Sequence, residues 1–222
     1  PTCGVCNFSY HYLMLYVIYG YLDVDFMNRN PEAELMDNRE QVKAYARADF
    51  SISENNFMTF IKDYLSQNQI SIKNNDLIVD LGCGPGNITE KLSLSWPDLK
   101  IVGIDGSKEM ILEAESRKNN FNSHNKFKNL TYICQDIKKI KLDEITNTQK
   151  IKLLVSNSLI HHITDINDFF DCIVSLSNKE TINFHKDLKR PVDEKSALKL
   201  KKECSSKYNS ILIKDYYASL MA

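Results

Sequence analysis

The chain has 222 residues, 43% of them hydrophobic, and its 28 basic and 29 acidic side chains leave a formal net charge of -1. That length suffices for one well-packed domain and is short for two. The even charge balance gives no electrostatic case for nucleic acid as a partner, and the lysines at Lys138-Lys139 and Lys199 to Lys202 read as solvated faces.

From Pro1 to Leu22 there is no Asp, Glu, Lys or Arg, yet the apolar run from Tyr12 to Leu22 is shorter than the roughly 20 residues that span a bilayer. A basic n-region and a small-residue cleavage site are also missing, so neither a membrane anchor nor a signal peptide is expected. Residues 1–26 read as an extension outside the native fold, and 27–222, opening at Met27, as a single domain. The six cysteines, at positions 3, 6, 83, 134, 172 and 204, show no disulfide-framework spacing and suggest reduced thiols in a cytoplasmic setting. No second pair completes Cys3-x-x-Cys6 as a zinc site, so no metal is expected.

Helical spacing covers Asp37 to Ala48 and Glu54 to Leu65. Leu77, Ile78, Val79 and Leu81 then form the near-continuous apolar run of a strand covered on both faces. Gly82, Gly84 and Gly86 follow, and their missing side chains let a ligand approach the backbone. A helix is expected from about Asn87, its free amides suited to a polar or anionic group. The second strand, Ile101 to Ile104, ends in Asp105, where such architectures place the carboxylate that binds a ribose diol. A helix over 107–118 and a polar loop over 119–129 lead to a third strand, Leu130 to Cys134, followed by Gln135-Asp136-Ile137. The fourth strand, Ile151 to Val155, delivers Ser156-Asn157-Ser158-Leu159-Ile160-His161-His162 to the carboxyl edge of the sheet. After a helix over 165–177, a fifth strand from Thr181 to Leu188 brings Asp187 and Arg190 to that edge, and Pro191 ends it. Alternating strands and helices specify an α/β, doubly wound, mostly parallel Rossmann-like sheet.

The glycines read G-x-G-x-G with Asp80 two residues ahead, and not the G-x-G-x-x-G of a dinucleotide fingerprint. In this the stretch from Val79 to Gly86 resembles the first motif of the class I S-adenosylmethionine (SAM) dependent methyltransferases. The resemblance implies their fold, with the N-terminal helices as a lid over SAM, and a small-molecule acceptor of the methyl group at oxygen, nitrogen or carbon. By the same resemblance, Asp80 holds the amino group of SAM, the turn of Gly82, Cys83, Gly84 and Gly86 passes under its methionine part, and Asp105-Gly106 meets the ribose. Asp136 and Ile137 fall where family members bind adenine, Met110 either lines that pocket or packs in the core, and Asn157 lies in the fourth motif. Asp105 and Asp136 also suit ordinary turn positions.

Asn157 to His162 is similar to the small-molecule members, and not to the Asp/Asn-Pro-Pro-Tyr of nucleic-acid amino-methyltransferases. His161 is the candidate general base. Adjacent residues on a helix point about 100° apart, so only one of His161 and His162 is expected to face the pocket. Tyr45, His162 and Arg190 are candidate substrate contacts, with Gln41 and Phe50 as further lid contacts. Arg190 would grip a carboxylate or phosphate, or else pair with Asp187 or Asp193. The family continues into an antiparallel hairpin that completes a seven-stranded sheet, and this chain is expected to lack it. Two other readings compete: a binding subunit of the same fold without catalysis, and a nicotinamide-dependent oxidoreductase, for which the Tyr-x-x-x-Lys site is missing. Oligomeric state is not legible here.

Overall fold

β1 (Asp76–Leu81) carries out the sequence's instruction directly, because Leu77, Ile78, Val79 and Leu81 are fully buried and Asp80 among them is only 1% exposed. A computed structural model describes residues 35–121, 126–146 and 149–187 of the chain. Among these, α1 (Arg39–Arg47) and α2 (Ser51–Gln67) precede β1. Then come α3 (Asn87–Ser95), β2 (Lys100–Asp105), α4 (Lys108–Phe121), β3 (Leu130–Cys134), α5 (Leu142–Ile145), β4 (Lys150–Asn157), α6 (Ile166–Leu176) and β5 (Ile182–Lys186). Two single-turn 3-10 helices, Ile137–Lys139 and Ile160–His162, follow β3 and β4. The N-terminal extension, Arg190, Asp193, the end of the fifth strand at Leu188 and the C-terminal hairpin all lie outside the described residues.

The five strands form one parallel sheet in the order β3-β2-β1-β4-β5. The order reverses beside β1, so the crevice between the carboxyl ends of β1 and β4 is the topological switch point where ligands bind in open α/β sheets. In the register, Asp80 stands opposite Gly103 of β2 and Val155 of β4, which puts its carboxyl at the centre of the sheet.

Alternation along β1 divides the core. Ile78 packs with Phe57, Ile61 and Leu65 of α2, Ile88 and Leu92 of α3 and Ala114 of α4. Leu77, Val79 and Leu81 face the other side, against Cys172 and Leu176 of α6 with Ile140 and Ile145. Each fully buried Leu or Ile contributes about 1.5–3 kcal/mol over an exposed one, so both layers are strongly driven.

Helix starts carry the expected chemistry. The Asn38 side chain accepts from the amides of Glu40 (2.9 Å) and Gln41 (3.1 Å), and Asp165 does the same for Asn167 (2.9 Å). Asn129 ties the end of α3 to the start of β3, its side-chain amide donating to Trp96 O (3.0 Å) and Leu99 O (2.8 Å) while accepting from the Ser93 hydroxyl (2.6 Å).

Candidate functional site

A cavity of about 510 Å³ opens at the carboxyl ends of β1, β2 and β4, within the range of small-ligand sites. α1, α2 and the segment before them wall one side, through Leu35, Met36, Tyr45, Phe50, Ser53 and Glu54.

The turn after β1 is fixed from below. The amides of Gly82 and Cys83 both donate to Ile104 O, at 2.8 and 3.0 Å, and the amide of Gly84 donates to Asp105 Oδ2 at 2.8 Å. Asp105 Oδ1 accepts from the Ser107 amide at 2.8 Å, so each carboxylate oxygen holds one backbone N–H. A carboxylate offers about four lone-pair sites, which leaves Asp105 capacity for two more donors. Burial raises its pKa, opposed by those two backbone bonds.

The three turn glycines all have positive φ, 66°, 53° and 91°, but they do not share one purpose. A Cβ at Gly82 would stand 2.7 Å from Leu159 Cδ1, and at Gly86 2.1 Å from Tyr132 Oη. At Gly84 the nearest atom would be Met110 Sδ at 4.0 Å. Only Gly84 has open space where a Cβ would stand, although Gly82 lines the cavity as well. Gly82 and Gly86 make room for protein side chains, and Gly86 does not line the cavity.

Asp80 lines the cavity and accepts from the Thr89 hydroxyl of α3 at 2.7 Å. Burial pushes its pKa up to about 7, with the Thr89 bond acting against the shift and the charge of Asp105 adding to it. Asn157 is also in the lining, and its Oδ1 is buried with no hydrogen-bond partner among the described residues. Such a lone acceptor is costly unless a ligand donor meets it.

The structure brings Cys83, Gly106, Met110, Asp136 and Ile137 to the same cavity. Cys83 is a buried thiol whose pKa burial raises well above the ordinary value. Asp136 is exposed and caps the 3-10 turn that follows, accepting from the Lys138 amide at 3.0 Å. Met110, at 5% exposure, serves both core and cavity.

The histidine pair departs from expectation. Both His161 and His162 line the cavity, their rings 4.1 Å apart, from a single 3-10 turn at the cavity wall. Burial drops the His162 pKa to about 4, with the neighbouring His161 lowering it further and Asp187 opposing. His161 Nδ1 lies 2.6 Å from Asp187 Oδ1. Asp187 is the residue that the sequence reading left unassigned to the site. Its only local signal was its strand-end position.

Tyr45 and Phe50 line the cavity with ring centroids 5.0 Å apart, whereas Gln41 does not line it. Ser107, Glu54 and Ser158 also line the cavity, though sequence reasoning assigned none of them a role. Ser107 donates its hydroxyl to Met36 O (2.7 Å), fastening the segment before α1 to the turn after β2. Glu54, 7% exposed, accepts from Asn87 Nδ2 at 2.7 Å. Ser158 takes φ 60°, which a non-glycine residue adopts only when its surroundings enforce it. Among the described residues no cluster of three or more His, Cys, Asp or Glu is placed to hold a metal, and no helix is long and apolar enough to cross a membrane.

Residues 72–218 match the family described as "Methyltransferase domain". Trans-aconitate 2-methyltransferase of Escherichia coli O157:H7 (strain EC4115 / EHEC) is 31% identical over 114 residues, covering 51% of this chain and 40% of the relative. The enzyme of the same name from Escherichia coli (strain K12 / DH10B) is 30% identical over 114 residues, with the same coverage of 51% and 40%. The match thus spans about two fifths of the length of these relatives. Among solved structures, the plantazolicin methyltransferase BpumL, in complex with a pentazolic desmethylPZN analog and SAH, gives a TM-score of 0.59 at 21% identity, covering 83% of this chain and 64% of that one. Its complex with a monoazolic analog and SAH gives 0.60 at 20%, with the same coverage of 83% and 64%. At that identity the likeness speaks for the fold alone, and it agrees with the Rossmann-like parallel sheet. With the family match covering well over half of the sequence, the chain belongs to the methyltransferase domain family.

Proposed function

We propose that the protein transfers the methyl group of S-adenosylmethionine to a small-molecule acceptor with an oxygen, nitrogen or carbon nucleophile. The observation that carries this reading is the gathering of Asp80, Asp105 and the unpartnered Oδ1 of Asn157 in one cavity beside the Gly84 turn. All three are acceptors, and the cosubstrate is rich in donors: an ammonium, a ribose diol and an adenine amino group. The residues present fit it. Asp80 takes the ammonium, Asp105 the diol with its spare lone pairs, and Asp136 the adenine amino group, with Met110 and Ile137 against the ring. Gly84 leaves the room that the methionine part requires. The likeness to trans-aconitate 2-methyltransferases supports a small acceptor.

The bound sulfonium supplies a methyl group already activated for displacement. What remains for the protein is alignment, exclusion of water and, for an acceptor that carries a proton, a base. Tyr45 and Phe50 wall the cavity on the side of the N-terminal helices and His162 on the side of the turn after β4, where all three meet the acceptor, and His161 is the base. Cys83, Cys134 and Cys172 are free thiols, which supports a reducing, cytoplasmic setting. Charge balance supports a partner other than nucleic acid.

Isothermal titration with S-adenosylhomocysteine, with NADH as the control, tests the reading. Micromolar binding of the first ligand alone is expected. Folded protein that binds neither, or NADH instead, would overturn it.

Asp80 adds a pH signature. In the ligand-free protein its raised pKa means that its contribution to stability is full below the ordinary 3.8 and is lost as pH rises through about 7. An ammonium ligand reverses the preference, since it favours the ionised carboxylate. Affinity for S-adenosylhomocysteine is therefore expected to rise, by up to about tenfold per unit, between roughly pH 5 and 7 and to level off above. Titration at pH 6 in two buffers of different ionisation enthalpy should register the released proton. An Asp80→Asn variant with the same pH slope would remove Asp80 from this role, leaving Asp105 as the titrating group.

A further inference from the structure

One residue beyond β5, the Asp187 carboxylate grips the 3-10 turn by three groups. Its Oδ2 accepts from the amides of Ile160 (2.6 Å) and His161 (3.2 Å), and its Oδ1 meets His161 Nδ1 at 2.6 Å. The two residues lie 26 positions apart in sequence and on different strand ends. We infer that Asp187 is a positioning residue that fixes His161 in the Nδ1–H tautomer, so that the bare Nε2 is the nitrogen presented to the cavity. This deepens the methyl-transfer reading and rests on it.

The chemistry runs from the carboxylate outward. An ionised carboxylate only accepts hydrogen bonds, so the ring nitrogen facing it must carry the hydrogen. In a neutral imidazole the other nitrogen is then a lone-pair acceptor. No described residue hydrogen-bonds His161 Nε2, and the ring lines the cavity. The amides of residues 160 and 161 clamp the carboxylate from the backbone side, so ring and carboxylate keep one mutual orientation. The charged and titratable groups around the pair are few. His162 packs against the ring at 4.1 Å and burial keeps it neutral, while Lys186 on β5 acts on Asp187 through its charge.

Such a device serves an acceptor that must lose a proton, a hydroxyl or an N–H. The acceptor's lone pair forms the new bond to the methyl carbon, its proton moves to Nε2, and the electrons of the broken carbon–sulfur bond stay on sulfur. The imidazolium that results faces the Asp187 carboxylate. An acceptor that is already an anion needs none of this.

The test is ligand-free. Protein labelled with 15N-histidine is examined by long-range 15N–1H correlation at pH 8, with His161 assigned by the signals that disappear in His161→Gln. The expected result is a protonated Nδ1 and an unprotonated Nε2, with a downfield Nδ1–H resonance slow to exchange with solvent. An Nε2–H tautomer in the wild-type protein would overturn the inference. In Asp187→Asn, whose amide can donate as well as accept, the preference for Nδ1–H is expected to be lost, with a backbone fingerprint still showing the folded sheet. A folded variant that keeps the wild-type tautomer would equally overturn it. Should that variant not fold, the wild-type resonance decides alone: its presence supports the inference and its absence defeats it. Titration of both proteins with S-adenosylhomocysteine keeps the two readings apart, because failure of the wild type to bind would sink methyl transfer without touching the tautomer result.

Discussion

Replacing Asp105 by Ala is expected to abolish measurable binding of S-adenosylhomocysteine, weakening it by at least about a hundredfold while leaving a folded protein. Two hydrogen bonds to a charged acceptor, one from each ribose hydroxyl, are worth about 1.5–3 kcal/mol apiece, and their sum corresponds to roughly 10²–10⁴ in affinity. The carboxylate also holds the amides of Gly84 and Ser107, so its removal loosens the turn and the start of α4 together. Each freed amide adds about 1–3 kcal/mol of cost where water cannot replace the carboxylate. Against that stands the relief of a buried charge, whose raised pKa records the strain of burial. Stability should therefore fall modestly and affinity steeply. Titration alongside thermal melting separates the two effects. A folded variant that binds within threefold of wild type would remove Asp105 from the ribose site.

The strands and their ligand-facing ends were legible because the signals there are local. An apolar run broken by glycines and closed by an acid specifies strand, turn and helix with little help from the rest of the molecule, and β1, β2 and their turns appear where that pattern puts them. Asp80 and Asp105 were readable as strand ends for the same reason. The packing around them was not. That Tyr132 stands over Gly86, and Leu159 over Gly82, follows from the strand order, with β4 paired to β1 on one side and β3 one strand beyond β2 on the other, which no residue near the glycines announces. The two histidines share the cavity in a single 3-10 turn with their rings 4.1 Å apart, an arrangement that the rule of about 100° between neighbours does not foresee. Asp187 was visible as a strand-end acid but not as the partner of His161, since a contact between residues 26 apart leaves no mark in either local pattern. The 3-10 turn at 137–139 and α5 were missed because they are too short to show a period.

The glycines supply the sharpest separation of fold from function. Gly86→Ala forces a methyl group to within 2.1 Å of Tyr132 Oη at φ 91°, so both the backbone and the packing resist it. The left-handed conformation alone costs about 1–2 kcal/mol, and expelling the phenol adds a comparable amount. Since about 1 kcal/mol shifts the midpoint of a chain this size by roughly 2–4 °C, a fall of about 5–15 °C in Tm is expected. Tyr132→Phe in the same chain should restore part of the packing share and none of the backbone strain, because the hydroxyl removed is buried and has no hydrogen-bond partner among the described residues. Gly84→Ala is the contrast. Its methyl group meets nothing closer than Met110 Sδ at 4.0 Å, so only the strain of φ 53° burdens the fold, while the added carbon occupies space the ligand needs. Here Tm should drop by no more than about 2–8 °C, yet affinity for S-adenosylhomocysteine should fall at least thirtyfold, by a cost of about 2 kcal/mol. Equal losses of stability in the two variants, or cofactor binding untouched in Gly84→Ala, would mean that the turn does not divide its glycines between packing and ligand as the geometry requires.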